Sequence, residues 1–111
     1  MDFNFYQREA KKTAIYKGAG TFMGLAYTAL GLNGEAGEFA EKVKKCWRDD
    51  EGIFIEGRLA DIKKELGDIL WYLSAAANEV GLTLDEIAIH NLEKLKARVK
   101  DGTIHGSGDN R

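Results

Sequence analysis

Apolar residues recur along this chain at spacings of three and four rather than two, the period of helices with one buried face. The spacing predicts a first helix over residues 3–16, carrying Phe5, Ala10, Ala14 and Ile15. Lys17-Gly18-Ala19-Gly20 breaks it. A second helix is predicted over 25–47, with Leu25, Leu32, Ala36, Phe39, Val43 and Cys46 on one stripe. Glycines at 31, 34 and 37 weaken its propensity by up to ~1 kcal/mol each, which suggests something packed close to its backbone. Asp49-Asp50-Glu51-Gly52 ends it, and Ile53-Phe54-Ile55 reads as a short extended lid. A third helix over 59–80 places Ile62, Leu66, Ile69, Leu73, Ala76 and Val80 on its stripe, with Gly81 as the stop. Thr83 and Glu86 form a capping-box pattern for a fourth helix bearing Leu84, Ile87, Leu92, Leu95 and Val99, which Gly102 ends. The expected fold is all-α: a four-helix, bundle-like arrangement of antiparallel helices in one domain over 1–111, with a glycine-rich tail at 103–111.

Composition narrows the function classes. The 111 residues include no proline, so nothing forces a break inside the long helices. A net charge of −2 lacks the basic excess of a chain that lives on phosphate backbones, so no nucleic-acid partner is expected. No apolar run approaches the ~20 residues that span a bilayer, and the N-terminus does not read as a signal peptide. A single cysteine, Cys46, excludes an internal disulfide and a cysteine-rich zinc site, and reads as buried packing. The expectation is a cytoplasmic protein with no membrane partner.

Two pairs of acids change the picture. At about 100° per residue, Glu38 falls about −60° from Glu35, and Asp68 the same from Glu65. Both pairs therefore flank the apolar stripe of their helix on the same side. A fold point midway between the pairs lies between residues 51 and 52, inside the proposed connection. Folding the helices back on one another sets the pairs side by side. Four carboxylates on a partly apolar site repel unless a cation neutralises them. Oxygen ligands without histidine or cysteine suit Mg²⁺ or Mn²⁺, and Mg²⁺ commonly shares its coordination with a phosphate compound. The competing reading is a solvated face whose acids pair with Lys42, Lys44, Lys63 and Lys64.

The fourth helix adds donors. Asn91 intrudes on its apolar stripe, with Lys94 and Arg98 alongside, and such cations suit a polyphosphate. The competing reading is an asparagine bonded to backbone beside two solvated cations.

The segments Gly31-Leu32-Asn33-Gly34-Glu35-Ala36-Gly37-Glu38-Phe39 and Lys64-Glu65-Leu66-Gly67-Asp68-Ile69-Leu70-Trp71-Tyr72 resemble those of the MazG-like nucleotide pyrophosphohydrolases, of the all-α NTP pyrophosphatase superfamily. That family carries E-x-x-E, a spacer, then E-x-x-D. The segment 91–98 and the terminal Gly-Ser-Gly-Asp-Asn-Arg match too, so the resemblance spans nearly the whole chain. It implies that Glu35, Glu38, Glu65 and Asp68 are the catalytic residues and bind Mg²⁺, for which Mn²⁺ can substitute. The implied reaction converts a nucleoside triphosphate and water to the monophosphate and pyrophosphate. Asn91, Lys94 and Arg98 would hold the triphosphate, and Tyr72 is a candidate sugar or phosphate contact, with a helix-interface tyrosine as its competing reading. Glu41 would be at most an outer ligand. The resemblance also implies a homodimer or homotetramer. Trp71 and Ala75, off the main stripes, are expected on an interface with the glycine-rich part of the second helix.

Three alternatives stand beside this reading: a metal-free dimeric helical adaptor, a dUTP or phosphoribosyl-ATP pyrophosphohydrolase of the same superfamily, and a di-iron bundle. The last wants Glu-x-x-His, and neither His90 nor His105 has a glutamate three residues before it. Both histidines read as solvated.

Overall fold

The computed structural model describes residues 1–111, and every regular element is a helix. In chain order these are α1 (Phe3–Lys11), α2 (Phe22–Asp50), α3 (Glu56–Glu79) and α4 (Leu84–Asp101). No helix is long and apolar enough to cross a membrane.

Local chemistry explains the boundaries. α1 begins where the Asp2 side chain accepts the Phe5 N–H at 2.8 Å. It stops five residues short of the expected end, because the chain turns at residues 12–13 and no apolar periodicity carries it further. Thr21 caps α2 by accepting from the Met23 N–H, so α2 starts earlier than its apolar stripe does. It ends on Glu51 in the left-handed region (φ 56°), followed by Gly52 at φ 79°. Thr83 and Glu86 form the expected capping box on α4, which Gly102 closes at φ 70°.

α2 and α3 fold back on each other as a long hairpin whose connection is the exposed stretch 51–55. Arg58 braces its tip, with Nε 2.6 Å from Asp50 Oδ2 and Nη2 3.7 Å from Asp49 Oδ2. Cys46 is buried there, its thiol donating to the Ile53 carbonyl at 3.3 Å. α1 packs across the second half of α3, where Ser74, Ala75 and Ala77 are buried and small enough for close approach. Buried Gln7 locks this joint: its Nε2 donates to Asn78 Oδ1 (2.8 Å) and the Leu82 carbonyl (3.0 Å), and its Oε1 accepts the Leu84 N–H (2.8 Å).

The helices do not close into the expected bundle. α4 packs on α1 rather than along the α2–α3 hairpin. Much of the apolar stripe assigned to the chain's own core is therefore exposed, including Val43 on α2, Leu66 and Leu73 on α3, Val80 just after it, and Leu92 and Val99 on α4. The radius of gyration, 16.8 Å, exceeds the ~13 Å of a compact domain this long. Trp71 and Ala75 correct a second expectation. Trp71 donates from Nε1 to Thr13 Oγ1 at 2.8 Å and meets Tyr16 and Tyr72 edge-on, while Ala75 is buried. The segment after α1 covers this flank, so it is not a free interface.

Candidate metal centre

The hairpin register brings the two acid segments together. One carboxylate oxygen from each of Glu35, Glu65 and Asp68 lies within 4.8 Å of the other two. Glu35 and Glu65 are half-buried and Asp68 is exposed. Burial, together with the charges of Asp68, Glu65 and Glu38 and hydrogen bonding to Glu65, pushes the Glu35 carboxyl above the usual carboxylate range. Glu38 is exposed and outside the closest group, yet near enough for its charge to act on Glu35.

None of these four acids forms an ion pair. Glu41 pairs with Lys44 at 2.8 Å and Lys45 at 3.6 Å, and Asp49, Asp50 and Asp109 also have basic partners. The lysine partners that the solvated-face reading expected do not pair with Glu35, Glu38, Glu65 or Asp68, and Lys44 is engaged by Glu41 instead. Carboxylates held together without a counter-charge keep their mutual repulsion. An all-oxygen donor set of this kind fits a hard divalent cation.

Two tyrosines face the acids. Tyr72 lies one turn beyond Asp68, and hydrogen bonding to Tyr27 is the main reason its phenol is held above its ordinary value, with burial and the charges of Glu35 and Asp68 adding to it. Tyr6, from α1, is raised by burial and by the Asp68 charge. Gly31 makes room for Tyr72: a Cβ there would sit 2.1 Å from the tyrosine Cε1. A Cβ on Gly34 or Gly37 would meet nothing within 4 Å, so close packing on the second helix is confined to Gly31 in this segment. Beyond Tyr72, Tyr27 stacks on Tyr16 with centroids 4.9 Å apart and planes 7° from parallel. Tyr6 and Gln7 were missed in the sequence because α1 carries no recognisable motif. Only the packing of α1 against α3 reveals them.

The proposed phosphate donors sit elsewhere in the chain. Asn91 is exposed on α4. Lys94 and Arg98 are paired with Asp109 of the tail at 3.1 and 3.3 Å. His90 and His105 are both exposed.

A family model for the MazG nucleotide pyrophosphohydrolase domain matches residues 25–103, which takes in the whole acid cluster. The chain belongs to this family. The "Gene 37 protein" of Mycobacterium phage L5 is 46% identical over 114 residues, with both chains covered in full. No solved structure matches. MazG membership supports a pyrophosphohydrolase-type activity on a nucleotide, and the Glu35–Glu65–Asp68 group is able to coordinate a divalent metal.

Proposed function

We propose that this protein hydrolyses nucleoside triphosphates between the α and β phosphorus, giving the monophosphate and pyrophosphate, with Mg²⁺ as the cofactor. The observation that carries this reading is the group of unpaired carboxylates from two facing helices at the centre of a MazG domain. Glu35, Glu65 and Asp68 would hold the cation, with Glu38 at the rim, and Mn²⁺ would fit the same donors. Bound there, the cation supplies charge neutralisation to the polyphosphate and polarises its oxygens. A carboxylate of the array orients the attacking water by accepting its hydrogen and takes up its proton as the anhydride breaks. Tyr72 and Tyr6 wall the acids, so that sugar or phosphate oxygens can meet a phenol O–H.

The triphosphate also needs cations from the protein, and no lysine or arginine pairs with the four acids. Lys94, Arg98 and Asn91 supply that chemistry from α4. A homo-oligomer would lay α4 of one copy over the hairpin of another and cover the exposed leucines of both. Exposed apolar surface on this scale is the mark of an association face.

The test is substitution of each acid. Glu35→Gln, Glu38→Gln, Glu65→Gln and Asp68→Asn should each abolish pyrophosphate release while the far-ultraviolet circular dichroism stays that of the wild type. Undiminished turnover in the Glu65→Gln or Asp68→Asn protein would refute the site.

A further inference from the structure

α1 and the α3–α4 turn enclose a cleft of about 350 Å³, a size common among small-molecule sites. Residues 4, 7, 8 and 11 form one wall, at the spacing of a single helix face. Asn78 and the turn at 81–83 form the other. Leu82 is the one apolar residue of the lining, and no acid or aromatic ring belongs to it. The acids of the hairpin and their tyrosine walls take no part in this cleft.

Buried Gln7 sets the polarity of the lining. The Leu84 N–H only donates, so Gln7 turns Oε1 to it and gives Nε2 to Asn78 and to the Leu82 carbonyl. Asn78 therefore accepts with Oδ1, which leaves its Nδ2 hydrogens for the cleft. Thr83 accepts the Glu86 N–H through Oγ1 at 3.0 Å, and its hydroxyl hydrogen remains to be donated. Arg8 and Lys11 take part in no ion pair. The acids close to the lining residues in sequence are engaged elsewhere: Glu9 with Lys12, and Glu79 with the Tyr16 hydroxyl and the Gly20 N–H. No other acid stands between Glu9 and Glu35. Two uncompensated cations and a surplus of donors suit an anion. A lining without rings gives a nucleobase nothing to stack on.

We propose that the cleft between α1 and the α3–α4 turn binds a phosphoryl dianion, either the phosphate of a small hydroxylated molecule or the free ion. The Arg8 guanidinium offers a fork to two phosphoryl oxygens, and the Lys11 ammonium a compact charge to the group. Two cations match the charge of about −2 on a phosphate monoester at neutral pH, whereas a single carboxylate would leave one of them unmatched. Asn4, Asn78 and Thr83 carry the amide and hydroxyl groups that pair with sugar hydroxyls. The site is separate from the hydrolytic reading above, because none of its donors belongs to the acid group or to α4 beyond its cap.

NMR titration of the full chain with ribose 5-phosphate and with inorganic phosphate, a chelator present, tests this. Either ligand should shift the signals of Arg8, Asn78 and Thr83 together. Arg8→Gln combined with Lys11→Gln changes two exposed side chains, so the circular dichroism should stay that of the wild type while the Kd rises about tenfold or more. Asn4→Asp puts a negative charge on the exposed wall and should weaken binding as well. Lys94→Gln, on α4, should leave it unchanged. Tighter binding of ribose 5-phosphate assigns the cleft to a monoester, and equal binding of inorganic phosphate assigns it to the free ion. No shift in the wild type, a double variant that binds as the wild type does, or a loss that follows Lys94→Gln instead would overturn the proposal. A wild type that binds ribose 5-phosphate here yet releases pyrophosphate from no nucleotide would break the hydrolase reading and leave the cleft standing.

Discussion

Replacing Asp68 by asparagine should make the metal-free protein more stable and the metal-loaded protein less so. Asp68 keeps its shape and loses one charge. Its carboxylate faces those of Glu35 and Glu65 with oxygens within 4.8 Å. Two unit charges about 4 Å apart repel by about 1 kcal/mol in water-like surroundings. The cluster opens to solvent at Asp68, so the water-like figure applies to each of the two contacts. Part of the repulsion survives in the unfolded chain, because Glu65 and Asp68 are only three residues apart. The net relief is therefore about 1–2 kcal/mol, which for a domain near 100 residues is a Tm increase of about 5–10 °C. Mg²⁺ reverses the order. At a concentration a hundredfold above its Kd, a ligand of the native state adds about 2.7 kcal/mol to the protein that binds it. The assay is thermal unfolding with a chelator and then with excess Mg²⁺. Wild type should start lower and rise with Mg²⁺, while Asp68→Asn starts higher and barely responds. A variant with unchanged or lowered apo Tm, or with the full Mg²⁺ response, would refute the reasoning.

Other perturbations read other parts of the account. Gly31→Ala drives a Cβ into Tyr72 and should cost about 1–3 kcal/mol in urea unfolding; the loss should shrink when Tyr72→Ala is added, and additive losses would show that the two sites are uncoupled. Tyr16 donates to Glu79, and burial, this bond and the Glu79 charge push its phenol up to about 12. A folded value above the usual tyrosine value of 10 means that its stability is complete below pH 10 and is lost as pH rises through about 12. Tyr16→Phe should therefore be less stable at pH 8 and show a shallower alkaline loss; parallel curves would contradict the assignment. Leu92→Glu charges an exposed position on α4, so it should leave the helical content intact yet lower both the sedimenting mass and the activity. A wild type sedimenting as a 12.3 kDa monomer would remove the proposed assembly.

Much of the site was legible because its signal is periodic. Glu35, Glu65 and Asp68 meet since an i, i+3 spacing fixes a flank and an antiparallel hairpin fixes a register, and both follow from residue numbers alone. The Thr83–Glu86 capping box was legible for the same reason. The openness of the fold was not. Leu66, Leu73 and Leu92 have the spacing of core residues, and periodicity shows that a face is apolar without saying which chain covers it. Trp71 was misplaced because its partners, Thr13 and Tyr16, lie in irregular chain after α1, where no period predicts position. Gln7 likewise acts through a fold-dependent contact with the α3–α4 turn, and nothing in its neighbours in sequence marks it.

The central claim is that the unpaired acids of the hairpin direct water to the anhydride between the α and β phosphorus. Phosphorus NMR of a nucleoside triphosphate incubated with the wild-type protein and Mg²⁺ reads this directly. The account predicts a growing pyrophosphate resonance with the matching monophosphate, and none of either when Mg²⁺ is withheld. Orthophosphate appearing with the nucleoside diphosphate would contradict it.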